Sequence, residues 1–445
     1  MKLTTSLTFV TAASAIAILK DAEEIFKDSV HHAESLIEDA RSNVASSFDE
    51  AIDFLSSGIE NAVRTAEEKA SEEFSGLFGK DSSRGSSFGY DGDFMDYDKS
   101  NYTILQLISE SNYTKEFYKL VKDHKDVLEL LNDTDNEYTL FVPIDKAFED
   151  IPEDGKKPSD EFIESVLDYH VGLGSYPAGR ILTTHTIPTS LKEELLGGNA
   201  QRLRTSVGLS GVRINVYSKV VGANLQAKNG YIHAVDKILI PPTYIGREIS
   251  LFPTAFSTLL LAYDKTDFVK YIHGIKMNGS TVFAPSNKAW ETLGPRANAF
   301  LFNTEKGHKY LTALLKYQIA PNITLYSDEI YYGDEANRPA ARGTDDHFHI
   351  ELGTLLEKSL GVDVYNWKGW RSIVVNGATK VGFQDGIGKN GVIQVVEGIP
   401  IPPCRKGGKE AEVLKGEIEV EDLIERLREY VDEDNEEEEE FVGDL

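Results

Sequence analysis

His347 and His349, in the run Asp345-Asp346-His347-Phe348-His349, are two residues apart and would share one side of a strand, offering two imidazoles to a metal ion. No third ligand is identifiable, so the reading favours a solvated loop within the stretch 331–350. Gly386, Gly388 and Gly391 spell G-x-G-x-x-G, which signals a dinucleotide site only when a strand precedes it and a helix follows. Here strand-like runs lie on both sides, and a hairpin turn is expected. His31-His32 falls on the polar side of a helical pattern. There is no G-x-S-x-G elbow, and a Ser-His-Asp triad assembles in space rather than in sequence. The single cysteine, Cys404, excludes an intramolecular disulfide and a cysteine-based zinc site. The expectation is therefore no catalytic residue, no cofactor, no metal, and a protein that is not an enzyme.

Five Asn-x-Ser/Thr sequons occur, at Asn101, Asn112, Asn132, Asn278 and Asn322, none with proline in the middle. Their use requires a secretory address. Lys2, the apolar stretch that follows and Ala15-Ile16-Ala17 read as a signal peptide over 1–17, either cleaved or retained as a tether. The expected location is extracellular, with the vacuole or another secretory lumen as the alternative.

The 445 residues carry a formal charge of −27, and the acidity sits in the flanks, leaving −4 for residues 99–403. With no Lys/Arg-rich run to offset it, nucleic-acid binding is excluded from the expected partners. Apolar residues from Phe26 to Leu77 recur at steps of three and four, which predicts a long amphipathic helix within 18–78. That helix would pack on folded domains or a second copy, or contact a membrane through residues 22–78, the remaining alternative being a loosely ordered propeptide-like segment. A Gly/Ser/Asp linker follows over 79–98. At the other end, 404–445 reads as an acidic C-terminal helix and tail, with helical spacing at Ile418, Leu423, Leu427 and Val431 that should dock weakly or pair with another helix before a charged tail.

The middle of the chain is duplicated. "YTLFVPIDKAFEDIP" (138–152) matches "STVFAPSNKAWETLG" (280–294) at an offset of 142. Tyr169 stands opposite Tyr317, and "KNGYIHAVDKILIPP" (228–242) matches "KNGVIQVVEGIPIPP" (389–403) at an offset of 161. The order is kept and the offset only grows, as two whole domains would give, the second with insertions. Each copy reads as α+β: a buried strand, a short helix capped at Asp145 or Ser286, a helix over 159–170, and a closing hairpin. Asn229-Gly230 and Asn390-Gly391 are expected to supply the positive φ angles of a type I′ turn.

These blocks resemble the fasciclin (FAS1) domain. The resemblance covers 99–243 and 244–403 and implies two β-sandwich or wedge domains with helical caps. It also implies a cell-adhesion or protein-interaction role toward a protein, cell-surface or matrix partner, without catalysis. The family's Tyr-His motif, linked to partner binding, falls at Tyr169-His170. Beside Val166, Leu167 and Val171, the same pair reads as rings packed and hydrogen-bonded internally. The second copy has Tyr317-Gln318, which puts a shared histidine-dependent role in doubt.

Overall fold

Tyr138–Pro143 (β1) is buried at every position, which is why its sequence is a continuous apolar run and not an alternating one. It pairs antiparallel with β2 (Val171–Leu173) and parallel with β7 (Gly230–Val235). Between them run β3 (Thr186–Glu193), β4 (Asn199–Gly208), β5 (Gly211–Ile214) and β6 (Ser218–Ala227), and the seven strands close into a barrel. The computed structural model describes residues 101–149, 158–208, 211–329, 342–343, 347–367, 370–403 and 417–431. The expected signal peptide, long amphipathic helix, linker, Cys404 and acidic tail lie outside the described residues.

Helices α1 (Ile104–Glu110), α2 (Lys115–Asp123) and α3 (Lys125–Asn132) precede β1, and α4 (Asp160–Tyr169) leads into β2. Alternate β1 residues Leu140 and Val142 join one core cluster with Ile104, Phe117 and Leu131, while Phe141 joins another with Tyr169 and Ile187. A strand with two buried faces is what a helix-covered barrel wall requires. The family's sandwich or wedge thus takes the form of a closed barrel here, because the strand order runs from β1 through to β7 and β7 pairs back onto β1.

The second copy repeats this plan. β8 (Ser280–Pro285) is buried throughout, antiparallel to β9 (Ile319–Pro321) and parallel to β15 (Gly391–Val396). Its sheet has eight strands, adding β10 (Arg342–Gly343), β11 (His347–Gly353), β12 (Ser359–Trp367), β13 (Trp370–Val375) and β14 (Thr379–Gly388). Helices α6 (Ile245–Ser250) through α11 (Glu305–Tyr317) cover it, following the short α5 (Ala178–Ile181) of the first copy. The described residues divide into two compact units. One ends at Leu191 but takes in Gln201–Pro241, and the other takes in Lys192–Ala200 and the residues from Pro242 on.

Three sequence expectations change. The C-terminal helix α12 (Val420–Leu427) is more than weakly docked: Ile418, Leu423, Leu427 and Val431 belong to the second unit's core. Burying a leucine contributes about 1.5–3 kcal/mol, so the two fully buried leucines fix this helix firmly. Asp145 does not cap the short helix that contains it but accepts from Glu116 N–H, 2.9 Å away, at the start of α2. Ser286 is the expected N-cap, its Oγ accepting from Ala289 N–H.

The third concerns the turns. Asn229 and Asn390 are absent from the residues with positive φ, whereas Gly230 and Gly391 have φ of 138° and 149°. Left-handed asparagines occur elsewhere, among them Asn215 and Asn376, both at 50°, followed by Val216 at 71° and Gly377 at 66°. A left-handed β-branched residue is strained, and Val216 stands where the second copy has glycine. Val216→Gly should stabilise the first unit by about 1 kcal/mol, measured as a rise in its denaturation midpoint. A lower midpoint would show that Val216 is held by contacts that outweigh the strain.

Candidate functional site

Tyr169 ends α4 and His170 caps it, and both side chains are fully buried. Tyr169 donates its hydroxyl proton to Arg202 O at 2.9 Å and accepts from Asn215 Nδ2 at 2.8 Å. His170 donates from Nδ1 to Val166 O at 2.6 Å, and its Nε2 accepts from Leu239 N–H at 2.9 Å. Burial pushes the imidazole down to about 4. The pair therefore locks α4 and β2 to the barrel, and neither ring presents a face to solvent.

The second copy explains its own departure from this pattern. Tyr317 repeats Tyr169, bonding Ser359 O at 3.0 Å and accepting from Asn376 Nδ2 at 3.0 Å. Leu239, whose N–H needs the imidazole acceptor, is matched by Pro400, which has no N–H. Gln318 can replace the histidine because nothing there must be accepted, and its Nε2 finds no acceptor among the described residues.

A second polar constellation went unread in the sequence. In the first unit Asn224, left-handed in the β6 bulge, accepts from Ala178 N–H at 2.7 Å. Its own N–H meets His233 Nδ1 at 3.3 Å, and His233 Nε2 donates to Tyr176 O at 2.9 Å. His233 is fully buried, stacks on Phe141, and is likewise pushed by burial down to about 4. In the second unit Asp385 replaces Asn224, accepting from Ser327 N–H at 2.9 Å and from Ser327 Oγ. Gln394 replaces His233, donating to Leu325 O at 2.8 Å and to Asp385 Oδ1 at 3.0 Å. The signal that could have found these groups was the repeat alignment itself, which places His233 opposite Gln394.

Ser327 and Asp385 lie side by side but do not form a triad. The serine hydroxyl is spent on the carboxylate, and the position of a base is held by a glutamine amide. The G-x-G-x-x-G residues are the β14–β15 hairpin, as expected. His347 and His349 lie on strand β11 and not in a loop. Both approach Asp363 Oδ1, at 3.1 and 2.9 Å, while His349 Nε2 lies 3.0 Å from Glu351. Desolvation alone would lower the His349 imidazole, but hydrogen bonds to Glu351 and Asp363 raise it. Its nitrogens are thus occupied by carboxylates, and among the described residues no group of three His, Cys, Asp or Glu side chains could hold a metal ion.

The surface is less committed. All five sequon asparagines are exposed. Asn132 Oδ1 accepts from Thr103 Oγ1 and Asn322 Oδ1 accepts from Asn278 N–H. Tyr217, Val221 and Ile240 of the first unit are exposed at 44%, 46% and 54%, high for apolar side chains, with Ile240 N–H bonded to Tyr217 Oη at 2.9 Å. Among the described residues no helix is long and apolar enough to cross a membrane.

The fasciclin domain profile matches residues 112–241 and 254–402. The "Aurofusarin biosynthesis cluster protein S" of Gibberella zeae is 25% identical over 363 residues, covering 75% of this chain and 88% of that protein. Stabilin-2 of Rattus norvegicus is 26% identical over 43% of this chain and 14% of its own length. Human periostin is 24% identical over 60% of this chain and 29% of its own. The chain thus spans less than a third of either animal relative. Among solved structures, a FAS1 domain pair from the insect cell adhesion molecule Fasciclin I aligns over 64% of this chain and 95% of that one, at 19% identity and a TM-score of 0.32.

Proposed function

We propose, from the premise that the chain belongs to the fasciclin domain family, that it is a non-catalytic secretory-pathway glycoprotein that binds a protein or matrix partner. The observation that carries this reading is the division of labour between interior and surface. Tyr169, His170, His233, Ser327 and Asp385 are engaged internally and His347 and His349 bond carboxylates, whereas Tyr217, Val221 and Ile240 are exposed. Relatives of this chain include stabilin-2 and periostin. Tyr169 and His170 would serve binding indirectly, by holding the barrel wall.

Exposed aromatic and aliphatic side chains are the residues that anchor interfaces, and removing such an anchor costs about 2 kcal/mol or more of binding. Tyr217→Ser combined with Val221→Asp should therefore weaken adhesion of cells to the immobilised chain by about 30-fold. Circular dichroism should show the fold intact. Unchanged adhesion would remove this surface from the binding face. Glycosidase treatment of the secreted chain should shift its gel mobility through the five exposed asparagines, and an unshifted band would count against the secretory address.

A further inference from the structure

We propose that the first domain is built to loosen in acid while the second is not, because His170 and His233 are held neutral inside the first and their counterparts Gln318 and Gln394 cannot titrate. The geometry allows each ring only its neutral form. His170 Nε2 accepts from Leu239 N–H, so a proton there would face another donor. His233 Nδ1 accepts from Asn224 N–H, with the same consequence. Protonation would replace a hydrogen bond with a repulsive contact around a buried charge.

Surrounding charges offer little compensation. On α4, Asp168 bonds Ser190 Oγ and is influenced by Glu164, Asp126 and His124, whereas burial and the bond to Val166 are the causes acting on His170. Helix α2 meets His170 with the ring of Phe117, while Glu116 and Lys119 pair with each other at 2.6 Å on the surface. Before Leu239 come Asp236, which accepts from Lys219 N–H, and Lys237. Around His233, β1 and β7 contribute Tyr138 and Tyr231, β6 contributes Lys219, and Arg180 lies over the Tyr176 ring. Burial raises the Asp168 carboxyl, and its protonation offsets part of the loss at the acid end.

The sign follows from proton binding. Each folded imidazole lies near 4 against an ordinary value of 6.5, so the unfolded chain binds more protons between those limits. Stability is complete above 6.5 and is lost as pH falls toward 4. At pH 5 each ring shifts the unfolding equilibrium roughly 30-fold toward the unfolded state, or roughly a thousandfold for the pair. In the second unit the raised His349 acts in the opposite direction, favouring the folded form in acid.

The chain carries its own reporter. Trp290, Trp367 and Trp370 all fall in the second unit, so tryptophan emission follows that unit, while far-ultraviolet circular dichroism follows both. Melting the full chain at pH 7 and pH 5 should reveal a dichroism transition that falls by about ten degrees or more without a matching change in tryptophan emission. His170→Gln with His233→Gln, copying the second unit, should remove that fall. Persistence of the acid shift in the double variant, or absence of any shift in the wild type, would overturn the proposal. Should the double variant melt low at pH 7, its midpoint must still be flat between the two pH values.

Discussion

Gly391→Ala should leave the second unit unfolded at room temperature. A Cβ at Gly391 would stand 2.0 Å from Ser280 O and 2.8 Å from Ser280 C, and backbone cannot swing aside as a flexible side chain can. Residue 391 begins β15 where that strand runs parallel against β8, at φ 149°, a region costly for any L residue. A steric clash of this depth in a central pair belongs with the rare substitutions that cost more than about 4 kcal/mol. Gly391→Asn separates this cause from turn preference, because asparagine tolerates an ordinary left-handed turn and would be harmless if that were the requirement. Here both variants should show the red-shifted tryptophan emission of an unfolded second unit. Gly230→Ala, with Tyr138 O at 1.7 Å, should do the same to the first unit and leave tryptophan emission native. A midpoint for Gly391→Asn within a few degrees of wild type would restore the turn explanation.

Asn-Gly shows how far the sequence could be read. The hairpin between β14 and β15 was legible, because a turn-forming pair between alternating runs has few other uses. Its reason was not, since the residue that crowds Gly391 lies 111 positions away on another strand. The asparagine was misread for the same reason. Asn229 Oδ1 accepts from Ile104 N–H at 2.8 Å, and its Nδ2 donates to Leu131 O and Asp133 O. Asn390 repeats the first bond to Ile245 N–H at 2.9 Å. Each asparagine anchors the first helix of its domain to the last hairpin, a long-range contact invisible to any local window.

Buried strands β1 and β8 were legible from their apolar runs, and the two-domain plan from the repeats. The barrel closure was not, because composition does not reveal which edges pair. Burial of the Tyr169-His170 pair was legible from its apolar neighbours, but the cause of its loss in Tyr317-Gln318 was not, because it lies in the distant Leu239 N–H, which Pro400 lacks at the matching position. Thr139 and Thr281 show the same limit. Each hydroxyl is buried, accepting from a backbone N–H and donating to a carbonyl on the segment after the next strand. In the sequence they are merely threonines at matching positions.

Asp385→Ala should be nearly as damaging as the glycine change, whereas Asp385→Asn should be mild. Asp385 is fully buried and accepts from Ser327 N–H, Ser327 Oγ and Gln394 Nε2. Removing the acceptor strands these buried donors together, and breaking a buried charged network costs about 3–5 kcal/mol. Asparagine keeps an Oδ1 for Ser327 N–H and Gln394 Nε2, and the serine hydroxyl can rotate to accept from the new amide. The first unit already carries that solution, with Asn224 accepting from Ala178 N–H. The expected cost of Asp385→Asn is therefore below about 1.5 kcal/mol, read from the tryptophan-detected midpoint in urea. The two variants together also bear on chemistry. If Asp385 oriented a reactive Ser327, the asparagine variant would keep its stability and lose an activity. If its role is to tie the segment after β9 to the β14 bulge, stability is what moves, steeply for alanine and little for asparagine. Equal costs for the two variants would show that the carboxylate's charge, rather than its shape, holds this corner of the sheet.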